Sequence, residues 1–174
     1  MSWSRLLIPG AVVTDVTAIS PAALHKRGIA AVIIDLDNTL TRWNDQRCPQ
    51  EAAQWLAALR SAGIACCIAS NNGPGRVQAF CSGLPVTVPF VAPAGKPALS
   101  AYAACLRLLG TAPEETAAVG DQVFTDILGG NRAGLFTILV TPLSHHEFPA
   151  TRILRVVERI WLRRLRAAGA VSSL

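Results

Sequence analysis

No stretch of the chain approaches the roughly 18 to 20 consecutive apolar residues that a bilayer-spanning helix needs, although 51 % of its 174 residues are hydrophobic. The start, MSWSRLLIPGAVV, has one basic residue, breaks its apolar stretch at Pro9–Gly10 and offers no convincing cleavage site, so secretion is not indicated. Low-complexity linkers and internal repeats are missing too. Charged residues are scarce at 16 %, which, with the apolar content, excludes a chain held open by its own charge. The five cysteines (Cys48, Cys66, Cys67, Cys81, Cys105) are odd in number and contain no C-x-x-C pair, which argues against a disulfide framework and a thiolate zinc site. They are expected to be reduced and mostly buried, as in the cytoplasm. His145 and His146 are adjacent, lack a metal-ligand spacing and are read as a solvated loop.

What charge there is falls unevenly. Residues 1–150 carry ten basic and ten acidic side chains, whereas residues 151–174 carry six arginines against Glu158, so the net charge of +5 resides in the tail. The expected organisation is one main domain over 1–150 and a basic amphipathic helix over 151–174, part of that domain or appended to it. Arg152, Arg155, Arg159, Arg163 and Arg166 recur at three and four on one helix face, with Ile153, Val156, Val157, Ile160, Trp161 and Leu165 largely elsewhere. Two readings stand side by side. The helix lies on the inner face of an anionic bilayer with its tryptophan at the interface, or it packs its apolar side on the domain. A nucleic-acid partner fits less well, because the basic residues are confined to one helix and no RNA-binding motif or aromatic stacking platform accompanies them.

Within residues 1–150, short apolar runs alternate with segments of helical periodicity. Ser20–Pro21 is an N-cap followed by proline at the first helical position, opening a short helix over 21–27. Ile29–Asp35 is a β-branched run that fits a strand buried on both faces. Ala52, Trp55, Leu56 and Leu59 mark a helix after Pro49, and IACCIAS a second strand. A short helix over VQAFCSGL, a third strand over Val86–Val91 that Pro89 pushes to an edge, a helix over 98–109, a strand over TAAVGD, a helix with its turn over ILGGNRAG and a fifth strand over FTILVTP complete the series. This alternation predicts an α/β domain: a doubly wound, Rossmann-like parallel sheet with helices on both faces, and active-site residues beyond the carboxyl ends of its strands.

Four polar groups fall at those ends. Asp35 and Asp37, in Asp-Leu-Asp-Asn-Thr, would repel each other unless a divalent cation or another positive group stands between them and an anionic substrate. Mg²⁺ suits such a hard oxygen site. Asp35 can then attack phosphorus while Asp37 protonates the leaving oxygen and later activates water; a simple turn with its amides satisfied by Asp and Asn is the other reading. Ser70, followed by Asn71-Asn72-Gly73, offers a hydroxyl and backbone N–H groups to phosphoryl oxygens. Lys96 can neutralise Asp35 and the phosphate. Asp121 and Asp126 form a second acidic pair after the fourth strand, where Asp121 would ligate the metal and Asp126 would hold its waters or the lysine; Asp126 also reads as a helix N-cap.

In this order and at successive strand ends, the four groups resemble the haloacid dehalogenase-type phosphatases over residues 29–140. The stretches DLDNTLTRWN, ASNN and GDQVFTDILGGNRAG are closer still to the YqeG-like type IIIA branch. The resemblance implies Asp35 as nucleophile and metal ligand, Asp37 as acid/base with its backbone carbonyl on Mg²⁺, and Thr39, Ser70 and Asn71 around the phosphate. It further implies Lys96 as the balancing cation and Asp121 with Asp126 as metal acids. Only 32 residues separate Asp37 from Ser70, and 25 separate Ser70 from Lys96, which leaves no room for a large cap domain. The substrate expected is a phosphate monoester, with phosphatidylglycerophosphate at a membrane surface the leading choice and a soluble nucleotide, sugar phosphate or phosphoprotein the alternative.

Overall fold

Apolar, β-branched runs of three to five residues supply the strands of a single sheet: β1 (Ala11–Val13), β2 (Ala31–Ile34), β3 (Ala65–Ala69), β5 (Thr116–Gly120) and β6 (Phe136–Val140), with a two-residue β4 (Phe90–Val91). The computed structural model describes residues 3–144. The basic helix expected over 151–174, with its membrane contact, and the His145–His146 pair lie outside the described residues.

All six strands are parallel, in the order β1-β6-β5-β2-β3-β4. From β2 the chain winds outward through β3 to β4, then crosses back to β5 on the other side of β2 and continues to β6. The direction of winding therefore reverses around β2, and a crevice opens at the carboxyl ends of β2, β3 and β5. Each residue of β2 is buried, as a strand covered on both faces requires.

The helices are α1 (Pro21–Lys26), α2 (Gln50–Ser61), α3 (Pro74–Ser82), α4 (Leu99–Leu109) and α5 (Leu128–Arg132). Leu24, Trp55, Leu56, Leu59, Val77 and Phe80 of α1 to α3 join Val32, Ile34, Ile68 and Val119 in one core on one side of the sheet. Ala101, Tyr102 and Cys105 of α4 meet Ile33, Cys67, Ala69 and Ala118 on the other. Alternate residues of one strand thus feed two cores. Capping follows the sequence signals: Ser20 Oγ accepts from Ala23 N at 3.1 Å, and Gly110, at φ 67°, closes α4 by donating to Leu106 O at 2.8 Å. The segment between Asp37 and Ser70 consists of a loop, α2 and β3, so no cap domain is inserted there. All five cysteines are free thiols, and burial pushes Cys66 up to about 12, which makes it inert.

Two expectations need correction. The strand expected over Val86–Val91 pairs only at Phe90 and Val91, and Pro89 before them has no N–H to give; it contributes its carbonyl, which accepts from Ile68 N at 2.9 Å. In addition, the chain enters the sheet earlier than the five-strand reading placed it. Ala11–Val13 pairs with Ile138–Val140 as an edge strand, and three residues are too few for a periodic signal.

α2 is tied to the segment just before α1 by Trp55, whose indole Nε1 donates to Ile19 O at 2.8 Å while the residue is 5 % exposed. Replacement of Trp55 by Phe leaves that carbonyl buried without its donor. We expect a loss of about 2 kcal/mol in chemical denaturation; a loss within error of zero would show that water reaches Ile19.

Candidate active site

β2 ends at Asp35, whose N–H still donates to Val119 O of β5 at 2.9 Å, so the carboxylate leaves the sheet from its centre. The chain then coils tightly. Leu36 and Leu40 are fully buried, Leu36 O accepts from the N–H groups of Leu40 (2.9 Å) and Thr41 (3.2 Å), and Asn38 N donates to Thr41 O at 2.7 Å. Asn38 holds φ 64°, a conformation asparagine tolerates better than most residues. Apolar anchors inside and a left-handed asparagine at the bend fix the direction in which Asp35, Asp37 and Thr39 point.

Lys96 reaches the same point from the loop before α4. Its Nζ donates to Asp35 Oδ1 and to Asp126 Oδ1, each at 2.6 Å, with the lysine side chain 4 % exposed. Burial acts to lower the lysine pKa, but Asp126 and Asp35 outweigh it and the ammonium is held charged well above the usual lysine range. Burial raises Asp35 from 3.8 to about 6; Lys96 opposes the rise, and the charges of Asp126 and Asp37 add to it. Asn71 acts beneath the lysine. Its Oδ1 accepts from Lys96 N at 2.8 Å and its Nδ2 donates to Lys96 O at 3.0 Å, so both ends of the amide hold the lysine backbone. Asn71, a candidate for the phosphate, thus has its amide on the backbone of Lys96 in this structure.

The second acidic pair follows β5. Asp126 lies in a π-helical turn over Val123–Ile127, not at a helix N-cap, and its Oδ2 accepts from Gln122 N at 3.1 Å. Tyr102 of α4 braces that turn: its hydroxyl donates to Thr125 O at 3.0 Å, and its ring fills the space above Gly129, where an added Cβ would lie 2.4 Å from Cε2. Gly120 plays the matching part below. An added Cβ there would lie 2.2 Å from Asp126 Cγ, so only glycine lets the carboxylate fold over the strand end.

Asp35, Asp121 and Asp126 each offer a carboxylate oxygen, all within 4.8 Å of one another, and Asp121 and Asp126 are buried. Lys96 supplies one positive charge to three carboxylates. A hard divalent cation fits the remainder, in both charge and donor type. Thr39 Oγ1 stands 3.4 Å from Asp35 Oδ2, a long contact, and Ser70, 2 % exposed, accepts from Asn72 N at 3.1 Å. The Asp37 carboxylate turns away from this group toward Asn72 Nδ2 (2.7 Å), Arg76 Nη2 (3.0 Å) and Asn44 N (3.1 Å). Arg76, Tyr102 and Gly120 were not singled out in the sequence. Arg76 had a weak signal, lying in the first turn of a helix opened by Gly-Pro-Gly after the asparagines; Tyr102 and Gly120 had none, because each acts by packing.

Two outcomes follow from this geometry. Gly120→Ala forces Asp126 out of position and should cost about 1–3 kcal/mol of stability and weaken Mg²⁺ binding in calorimetric titration; unchanged binding would show that Asp126 is dispensable. The raised Asp35 pKa has a defined sign: the group's contribution to stability is present below the ordinary carboxylate value and is lost as pH rises through about 6 in metal-free protein. A cation replaces the proton, so Mg²⁺ should raise Tm more at pH 7.5 than at pH 5. An equal rise at both would place the ion elsewhere.

The chain matches the family model described as haloacid dehalogenase-like hydrolase over residues 32–102 and the one described as HAD-hydrolase-like over residues 93–147. It is 35 % identical over 167 residues to "Probable phosphatase YqeG" of Bacillus subtilis (strain 168), covering 96 % of each chain. It is also 30 % identical over 179 residues to "Phosphatidylglycerophosphate phosphatase 1, chloroplastic/mitochondrial" of Arabidopsis thaliana, spanning 92 % of this chain but 49 % of that one, about half its length. A solved haloacid dehalogenase family hydrolase from Deinococcus radiodurans R1 shares the fold at TM-score 0.57 and 18 % identity, covering 85 % of this chain and all of that one. With sequence identity running nearly end to end in the bacterial relative, and with the sheet and its strand-end acids arranged as described, the chain belongs to the haloacid dehalogenase-like hydrolases, as a phosphatase of the YqeG-like branch.

Proposed function

We propose that this phosphatase is a Mg²⁺-dependent phosphomonoester hydrolase that works through an aspartyl-phosphate on Asp35, with phosphatidylglycerophosphate at a membrane surface as its substrate. The observation that carries the mechanism is the bridge of Lys96 between Asp35 and Asp126, beside a third buried carboxylate, Asp121. Asp35, Asp121 and Asp126, with the Asp37 backbone carbonyl, would hold the ion, which when bound offsets phosphate charge and polarises phosphoryl oxygens.

An oxygen of Asp35 attacks phosphorus as the bond to the ester oxygen breaks, and Asp37 delivers a proton to that departing oxygen. Asp37 then takes a proton from water, whose oxygen attacks phosphorus and returns Asp35 as a carboxylate with release of inorganic phosphate. Lys96 favours the ionised form of Asp35 before attack and balances the phosphoryl charge during transfer. Thr39 and Ser70 lie beside Asp35 and at the end of β3, suited to phosphoryl oxygens.

The choice of substrate rests on two supports: the similarity to the plant enzyme, and the absence of a cap between Asp37 and Ser70, which leaves the crevice accessible to a bulky or membrane-held ester. The basic tail over 151–174 adds a sequence-based argument for an anionic surface. No helix among the described residues is long and apolar enough to cross a membrane, and the contact proposed is a peripheral one. The second reading, a soluble phosphate monoester, keeps every catalytic step.

Phosphate release from phosphatidylglycerophosphate in mixed micelles, compared with glycerol 3-phosphate, tests both levels. Chelation should abolish turnover, and Asp35→Asn should lower it by on the order of 10³-fold or more. Retained activity in Asp35→Asn would rule out the covalent mechanism, whereas preference for the soluble ester would move the substrate assignment and leave the chemistry in place.

A further inference from the structure

Asp35 and Asp37 are two residues apart and face different cations. Asp35 meets Lys96, while Asp37 Oδ1 accepts from Arg76 Nη2 at 3.0 Å, with the arginine side chain 11 % and the aspartate side chain 13 % exposed. Oδ1 also accepts from Asn44 N at 3.1 Å, and Oδ2 from Asn72 Nδ2 at 2.7 Å. Both carboxylate oxygens are therefore held, by donors from three separate segments: the loop after Asp37, the turn after β3 and the first turn of α3. Arg76 joins two of these, since the same Nη2 donates to Asp45 O at 2.6 Å and so fastens the 42–48 loop against Asp37.

Arg76 is poorly suited to packing alone. Its Nε and Nη1 are buried without a hydrogen-bond partner among the described residues, and burying such donors costs free energy that an apolar side chain of similar length would not. Val77, next in α3, is fully buried and already anchors the helix to the core. What the guanidinium alone supplies is direction. With one cation on each acid, the two carboxylates are kept apart despite their like charge, and Asp37 is aimed by a rigid, planar donor.

We infer that Arg76 is the positioning residue for Asp37: by holding Oδ1 and the 42–48 loop together it fixes the carboxyl group that protonates the leaving oxygen at a place apart from Asp35 and the other two acids. The inference rests on the acid/base role proposed above for Asp37. Proton delivery depends on heavy-atom geometry of a few tenths of an ångström, so a carboxyl group released from its arginine transfers its proton less efficiently. The consequence is selective. An alkyl ester, whose leaving oxygen is strongly basic, needs that proton; a p-nitrophenyl ester leaves without it.

The test compares the 174-residue wild type, Arg76→Met and Asn72→Ala on p-nitrophenyl phosphate and on whichever of phosphatidylglycerophosphate, glycerol 3-phosphate and glucose 6-phosphate the wild type turns over best. The readout is kcat/KM, which reports steps through departure of the leaving group. We expect the ratio of alkyl to aryl kcat/KM to fall by about 10-fold to 100-fold in Arg76→Met and in the same direction in Asn72→Ala, with the Tm of Arg76→Met equal to or above that of wild type. Parallel losses on both substrates, an unchanged ratio, or a collapse of Tm in Arg76→Met would overturn the inference by making the guanidinium structural; Asn72→Ala, which leaves Arg76 intact, checks the leaving-group pattern independently. Asp35→Asn separates the two levels. If it is inactive on both esters while the ratio stays constant in the Arg76 and Asn72 variants, only the role of Arg76 fails; if it stays active, the covalent chemistry fails as well.

Discussion

A buried ammonium held between two carboxylates organises this molecule. Lys96 is brought from the loop between β4 and α4 to Asp35 and Asp126, and all three are largely withdrawn from water. Such a cluster is costly to desolvate, and removing a partner leaves an uncompensated buried charge. Each neighbour of the lysine serves that requirement. Asn71 grips its backbone from both sides, Tyr102 and Gly120 shape the turn that presents Asp126, and the tight coil after β2 fixes Asp35. The parallel sheet contributes the rest, because only strands that end at the same edge can bring residues 35, 96 and 126 together.

How far this was readable in the sequence depended on the kind of signal. Ile29–Asp35 and TAAVGD announced buried strands through β-branched, apolar runs, and each carried its acid at the end, so Asp35 and Asp121 could be placed from pattern alone. Lys96 was readable as a strand-end cation, but its two-sided pairing with Asp35 and Asp126 was not. The three-residue β1 was missed because its pairing with β6 is a tertiary contact rather than a period. Val86–Val91 misled in the opposite sense: its composition is that of a strand, but Pro89 within it withholds a donor that a ladder needs.

Side chains that act on other side chains were the least legible. Asn71 stands beside Ser70 in a turn that suggests phosphate, and nothing in its spacing says that its amide closes on the backbone of residue 96, 25 positions later. Tyr102 looks like one more apolar position on the buried face of α4, and its hydroxyl's bond to the 123–127 turn appears only in three dimensions. Gly120 and Gly129 are ordinary glycines until the group that occupies their missing Cβ is known. The chemistry of the site was written in its acids and lysine; its rigidity was written in contacts.

The sheet is closed off at both margins. β4 contributes two residues and is preceded by Pro89, and β1 contributes three, whereas the inner strands run four or five. Unpaired edge N–H and C=O groups are the template on which foreign strands add and fibrils grow, and here that template is too short at either margin to register an incoming strand. Among the described residues, a sequence half apolar by composition thereby keeps its longer apolar strands away from the margins of the sheet.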